Sequence, residues 1–369
     1  MSEAPHHRYH SQVDFSSAQI HEGSPETEFL QPADQSYDLK FFNKKMTFDD
    51  GGEHEIWAFE SETSGRVFPS ALLRINEGAM FHATIRPSKK VHTIHWHGLE
   101  PDPRNDGVGH TSFEVSGSYT YQWRPEPGRP GSASFGSAGT YFYHCHVNTP
   151  LHVQLGMFGP IIIDPVAHPD FPVTPGARRS FVDGPEYDIE TETLLAAYSV
   201  DPRWHKLNHA AGLSGEDAGL DRFEPAALYL LGGELDKGPQ ADGPWQLTSM
   251  RANGPGSSRK PTLLRLVNAN YFPVDMRFFD AAGKPVAMAE LIAHDGRAFR
   301  DTSDPLGDSP PVCDSDHRLL TSIINFGAAE RFDVLLRPPA PGKYRMTVAL
   351  HHWITSARLG TRTLTITVT

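Results

Sequence analysis

The sequence predicts an all-β protein of two domains, each built as sheet packed on sheet. Three observations carry this expectation. The chain has 369 residues, and domains usually run to roughly 100–200 residues each. Gly (32) and Pro (31) are frequent and scattered rather than repeated, which suits many short strands joined by turns. Short aromatic and β-branched runs recur, and no long segment of the first half keeps a 3.6-residue apolar period.

Residues 1–36 are polar and turn-rich and carry His6, His7, His10 and His21. They read as a disordered polar tail, because binding a metal there would cost chain entropy. No basic stretch followed by an apolar run marks a signal peptide. A cytoplasmic location is therefore expected, or a periplasmic or secreted one if a signal was removed. Residues 37–165 form the first domain, with strands expected at 37–42, 80–86, 118–123, 140–147 and 159–164. Residues 166–186, PVAHPDFPVTPGARRSFVDGPE from 165 onward, are rich in Pro and Gly and read as a linker. Residues 187–369 form the second domain, with strands at 192–198, 227–231, 262–267, 331–336, 344–350 and 361–368. Residues 201–221 between them are irregular, with room for a short helix. Sandwiches or small Greek-key barrels are the expected architecture.

Composition removes several classes of function. Net charge is −12 and the pI about 5.9, whereas nucleic-acid binders cluster Lys and Arg against phosphates. No apolar stretch is long enough to span a bilayer. Two Cys cannot build a disulfide framework. What stands out is 20 His against 2 Cys, with 13 of the His at or before residue 152.

Two windows concentrate them: His92-Thr-Ile-His95-Trp-His97-Gly98, and His144-Cys145-His146 followed by His152 and Met157. On strands, successive side chains point to opposite faces. His95 and His97 then share a face, with His92 on the other. His144 and His146 share a face, with Cys145 on the other. If the two strands are neighbours, two sites follow. One gathers His92, Cys145, His152 and Met157, the latter two from a loop. That is the donor list of a blue-copper electron-transfer centre, with Met as weak axial ligand; structural zinc more often takes several Cys. The other site gathers His95, His97, His144 and His146, an all-imidazole set suited to copper that exchanges ligands with a small molecule such as oxygen. The bland reading is a surface H-x-H strand and a buried Cys acting as a small hydrophobe.

HTIHWHGLEPDPRNDGV resembles the H-x-x-H-x-H-G motif and following acidic D-G of multicopper oxidases, the laccases and their relatives. GTYFYHCHVNTPLHVQLGMFGPIIID resembles their H-C-H…H…G-M motif. LLRLVNAN and ERFDVLLRPPAPGKYRM are similar to the family's non-metal domain. The resemblance spans about residues 37–369 and implies two cupredoxin-like domains. It is nearest to the two-domain branch, which carries its type 1 copper in the first domain. Carried over position by position, it implies His92, Cys145, His152 and Met157 as type 1 ligands. It also implies His95, His97, His144 and His146 in the type 2/type 3 cluster, and Asp106 in proton delivery. Read alone, Asp106 is a turn residue before Gly107.

One feature departs from the family. Its trinuclear cluster takes eight His, and this chain shows four. Residues 153–369 contain no H-x-H, only His168, His205, His209, His294, His317, His351 and His352. His351 and His352, like His294 before Asp295-Gly296 and His110 after Gly109, read as ordinary strand-end or loop residues. Cys313 reads as a free thiol. The expected function is a copper-dependent oxidoreductase. It would take single electrons from an organic (phenolic) or metal donor, pass them to dioxygen, and assemble as a homotrimer with no nucleic-acid or membrane partner. The alternatives are a type 1 copper electron carrier or store, and a reductase like the copper nitrite reductases.

Overall fold

A computed structural model describes residues 31–108, 114–131, 136–239, 242–299 and 320–369, together with the backbone of 19–20. His6, His7, His10, His21, His110, Cys313 and His317 lie outside the described residues. So does most of the expected tail, although Gln35 and Ser36 already belong to the strand Gln35–Thr47.

The first half forms two four-stranded sheets. One runs in the order Glu53–Ser61, Gln35–Thr47, Phe81–Arg86, Tyr119–Trp123. The other runs Leu73–Asn76, Phe158–Asp164, Gly139–His144, His95–His97. Alternation builds the layer between them. Phe81, Ala83 and Ile85 point inward from one strand, and Tyr119, Tyr121 and Trp123 from its neighbour. They meet Trp96, Tyr143 and Ile161 of the opposite sheet in one core. The strand Gly139–His144 is buried along its whole length. One face lies in this core, and the other meets the second half of the chain through Phe142.

The second half is also two sheets. A seven-stranded sheet has Thr193–Val200, Thr262–Asn268 and Arg331–Leu336 side by side, and a five-stranded sheet centres on Gly342–His351. Leu264, Met276, Val334, Met346 and Leu364 are among the side chains that fill the space between them. The chain is thus all-β with a cupredoxin-like plan of paired sandwiches. Most expected strands lie within a residue or two of their observed counterparts, and Arg331–Leu336 coincides with its own. Ala177–Arg179, inside the stretch read as a linker, pairs with Glu186–Asp188 at its end. The irregular 201–221 stretch holds one turn of 3-10 helix, Trp204–Lys206.

Two differences from the sequence reading bear on the site. The expected strand 140–147 stops at His144, so Cys145 and His146 lie just past its end. His152, expected in a loop, sits in a seven-residue helix, Thr149–Leu155. This segment is too short to show an amphipathic period. Pro150 in its first turn and Gly156 at its C-cap, with φ 113°, delimit it instead. Among the described residues no helix is long and apolar enough to cross a membrane.

A chain of buried and half-buried charges ties the halves together. Arg265 and Glu192 are each 1% exposed and pair at 2.7 Å; Arg265 also reaches Asp333 at 3.2 Å. Glu192 takes Arg74 of the first half at 2.9 Å, and Arg74 in turn binds Asp164 at 2.6 Å. Thr140, on the strand that leads to Cys145, donates to Asp333.

Candidate metal centre

Neighbouring strands bring the two His windows together, as the parity argument requires. His95–His97 pairs antiparallel with the end of Gly139–His144, placing His95 opposite His144. His92 precedes that strand and is bridged to Val115. Cys145 continues past the other, and its N–H donates to the Met157 carbonyl at 3.0 Å.

On the core side, Cys145 Sγ stands 3.5 Å from His92 Nδ1 and 3.4 Å from His152 Nδ1. His92, Cys145, His152 and Met157 are all 0% exposed. The Met157 N–H donates to the His152 carbonyl, which ties the thioether residue to the helix that carries the imidazole. Burial pushes the Cys145 thiol up to about 12. Burial also lowers His152 to about 3 and His92 well below the ordinary imidazole value. These rings are therefore neutral, with a lone pair free for a metal. One sulfur anion in waiting, two imidazole nitrogens and a buried thioether residue fit copper better than the hard oxygen-seeking cations.

On the opposite side stand four imidazoles. His97 Nδ1 is 3.3 Å from His144 Nε2. The ring centre of His95 lies 5.8 Å from His97, 5.2 Å from His144 and 5.5 Å from His146. His144 Nδ1 donates to the Cys145 carbonyl at 3.0 Å, which leaves Nε2 as its lone-pair nitrogen. Burial takes His144 well below the usual value, and burial with the nearby Arg331 and His95 takes His97 to about 4. His95, His97 and His146 keep partial exposure, unlike the sulfur pocket.

Asp106 bears directly on this set. His95 Nδ1 lies 3.0 Å from its carbonyl and 3.1 Å from its carboxylate. Such a contact fixes the ring and its tautomer so that Nε2 is free to ligate. The D-G pair makes the approach feasible. Gly107 has φ 73°, and a Cβ there would lie 1.9 Å from the Ile94 carbonyl oxygen. Asp106 is thus both the expected turn residue and a direct partner of a candidate ligand.

The second half contributes residues that sequence reasoning missed. The Arg331 guanidinium fills the space where Gly98 lacks a side chain, 2.3 Å from an ideal Cβ there. It also lies over Tyr141 and Phe142. His209 joins His92 and His152, with one ring nitrogen of each within 4.8 Å of the others. No local motif announces either residue, because each arrives from a distant part of the chain. His294 Nε2 lies 3.4 Å from Glu330 and 3.6 Å from Asp295. His351 is bound to Asp275 at 3.0 Å, and His352 Nδ1 accepts the Ile354 and Thr355 N–H groups.

The paired sandwiches and the two donor sets define a cupredoxin-type protein. Residues 42–168 match the family model described as multicopper oxidase. Among curated relatives, copper resistance protein A of Pseudomonas syringae pv. tomato is 35% identical over 100 residues, covering 26% of this chain and 14% of its own. L-ascorbate oxidase of Cucumis sativus is 30% identical over 160 residues, 40% of this chain and 22% of its own. A copper-containing nitrite reductase of Neisseria meningitidis serogroup B is 29% identical over 140 residues, 36% of this chain and 31% of its own. The chain thus spans less than a third of the length of these relatives. Blue copper oxidase from Nitrosomonas europaea shares the fold with a TM-score of 0.58 at 19% identity, over 90% of this chain and 86% of that one. A multicopper oxidase from Campylobacter jejuni does so at 0.55 and 15%, over 90% and 57%.

Proposed function

We propose that the chain is a copper-dependent oxidoreductase of the multicopper oxidase type, taking single electrons from an organic or metal donor and delivering them to dioxygen. The observation that carries this reading is the position of Cys145. Its sulfur lies between two imidazole nitrogens at 3.4 and 3.5 Å, while its two chain neighbours, His144 and His146, belong to the imidazole set. When bound, copper would supply a one-electron couple at His92, Cys145, His152 and Met157 and an oxygen-reducing centre at His95, His97, His144 and His146.

The chain's own part is to hold these donors and to manage protons. Burial excludes water from the sulfur set, whose hydrogen bonding and dielectric then tune its potential. Cys145 joins the two sets through covalent bonds to His144 and His146. Asp106 orients His95 and stands as the carboxylate through which protons are delivered to the imidazole set. Each phenolic donor would give up one electron and one proton, and four of each convert one dioxygen to two waters. The four imidazoles come from the first half alone, so a homotrimer in which a second copy completes the set belongs to this reading. The partial exposure of His95, His97 and His146 supports it.

The test is copper content per chain together with oxygen uptake by the copper-loaded protein given a phenolic donor. About four coppers per chain and donor-dependent uptake are expected. One copper with no uptake would make it an electron carrier. Two coppers with consumption of nitrite would make it a reductase.

A further inference from the structure

The sulfur pocket is closed by a part of the chain that supplies no sulfur ligand. His152 Nε2 donates to the His209 carbonyl at 3.2 Å. With that nitrogen carrying the proton, Nδ1 is the lone-pair nitrogen, and it faces Cys145. The same His209 carbonyl accepts a hydrogen bond from Asn148 Nδ2 at 3.1 Å, and Asn148 Nδ2 also reaches the Ala211 carbonyl at 3.0 Å. His209 Nε2 donates to the Val91 carbonyl at 3.2 Å, next to His92. Its ring lies 4.5 Å from His152 and stacks toward Trp57. Under these contacts, Leu151 and Leu155 of the short helix pack on Trp204 and Ala211.

The covering stretch has little structure of its own. Beyond the single turn Trp204–Lys206 it is a series of turns, with Lys206, Asn208 and Ala210 exposed. It pairs with no strand. Segments outside regular secondary structure open locally without global unfolding. Asn148 itself has φ 46°, a left-handed conformation that Asn tolerates better than most residues. This backbone aims the side chain away from the helix it precedes and at the two carbonyls.

We propose that Asn148 is a positioning residue that clasps residues 207–213 of the second domain over His152. The clasp fixes the His152 tautomer and gates the approach of a metal ion to Cys145. The inference rests on the copper reading of the sulfur set. It gives the second domain, which lacks ligands for that set, a role in building it: the cover closes behind the ion and presents His209, rather than His152, to the outside.

The test follows copper(II) uptake by the metal-free full chain in a stopped-flow instrument, reading the growth of the sulfur-to-copper charge-transfer band. A gated pocket gives a rate that levels off as copper is raised, at the rate of opening. Asn148→Gly keeps the left-handed backbone and removes both clasping bonds. It should raise that limiting rate by about 30-fold, the fold-change that about 1 kcal/mol for each of the two lost bonds corresponds to. The same variant, once loaded, should show a shifted band, because His152 is held less firmly. Uptake that rises linearly with copper in the unmodified chain would overturn the clasp, whether or not Asn148→Gly folds. So would a limiting rate and band unchanged in a folded Asn148→Gly. Failure of any band to form would instead overturn the copper reading itself.

Discussion

Cys145 and the six imidazoles of the two donor sets are residues whose identities are readable from spacing alone. H-C-H and H-x-x-H-x-H survive as local strings whatever the fold does around them. Their charge states are not readable, because burial sets those. The folded chain holds His97 and His205 at about 4, His152 at about 3, and His92 and His144 well below the ordinary value. Burial is the chief cause in every case. An unfolded imidazole titrates near 6.5. Between that pH and about 4, the unfolded chain therefore binds more protons than the folded one, and stability falls as pH falls through that window. Calorimetry of the metal-free chain should show a melting temperature level above pH 7, dropping on the order of several degrees or more toward pH 4. A flat profile across that range would mean that the rings are not held neutral. His209 and Arg331 illustrate what spacing cannot carry. His209 is 57 residues from His152, and Arg331 is far from Gly98 in sequence, so only the packed chain brings them to the site.

At the scale of elements, the strands were legible because alternation and turn residues act locally. Phe81–Arg86 and Tyr119–Trp123 show inward and outward residues in strict turn. The short helix Thr149–Leu155 was not legible, since its seven residues hold too few turns to display a period. The strand expected over 140–147 ends at His144, because the ladder with Phe158–Asp164 and His95–His97 reaches no further. Gly139–His144 depends on long-range contacts, and its Thr140 meets Arg265 of the Arg265–Glu192–Arg74 network. Burial pushes the Glu192 carboxyl up, but Arg265 and Arg74 outweigh it and hold the group below its usual range. Removing one member leaves a buried charge without its partner, at a cost on the order of 3–5 kcal/mol. Glu192→Gln should therefore lower the denaturant midpoint strongly. A variant with an unchanged midpoint would show that the network contributes nothing to joining the sandwiches.

Across the whole molecule, the two sandwiches divide the work unevenly. The first carries every ligand that the sequence predicts for both donor sets, and His209 of the second stands beside His92 and His152. The second buries one face of the strand leading to Cys145, places Arg331 beside His97 and covers His152 with residues around His209. The asymmetry of His along the sequence made the first role legible. The second role rests on hydrogen bonds to backbone carbonyls, which any residue type provides, so it left no trace in composition. The central claim is that Cys145 is the sulfur ligand of a copper site linked through its neighbours to the imidazole set. The most direct test is the visible absorption of the copper-loaded full chain beside that of Cys145→Ser. An intense sulfur-to-copper band in the parent, absent from the folded variant while copper remains bound at the imidazole set, is the expected result. A band that survives the substitution, or a fully loaded parent without one, would contradict the claim.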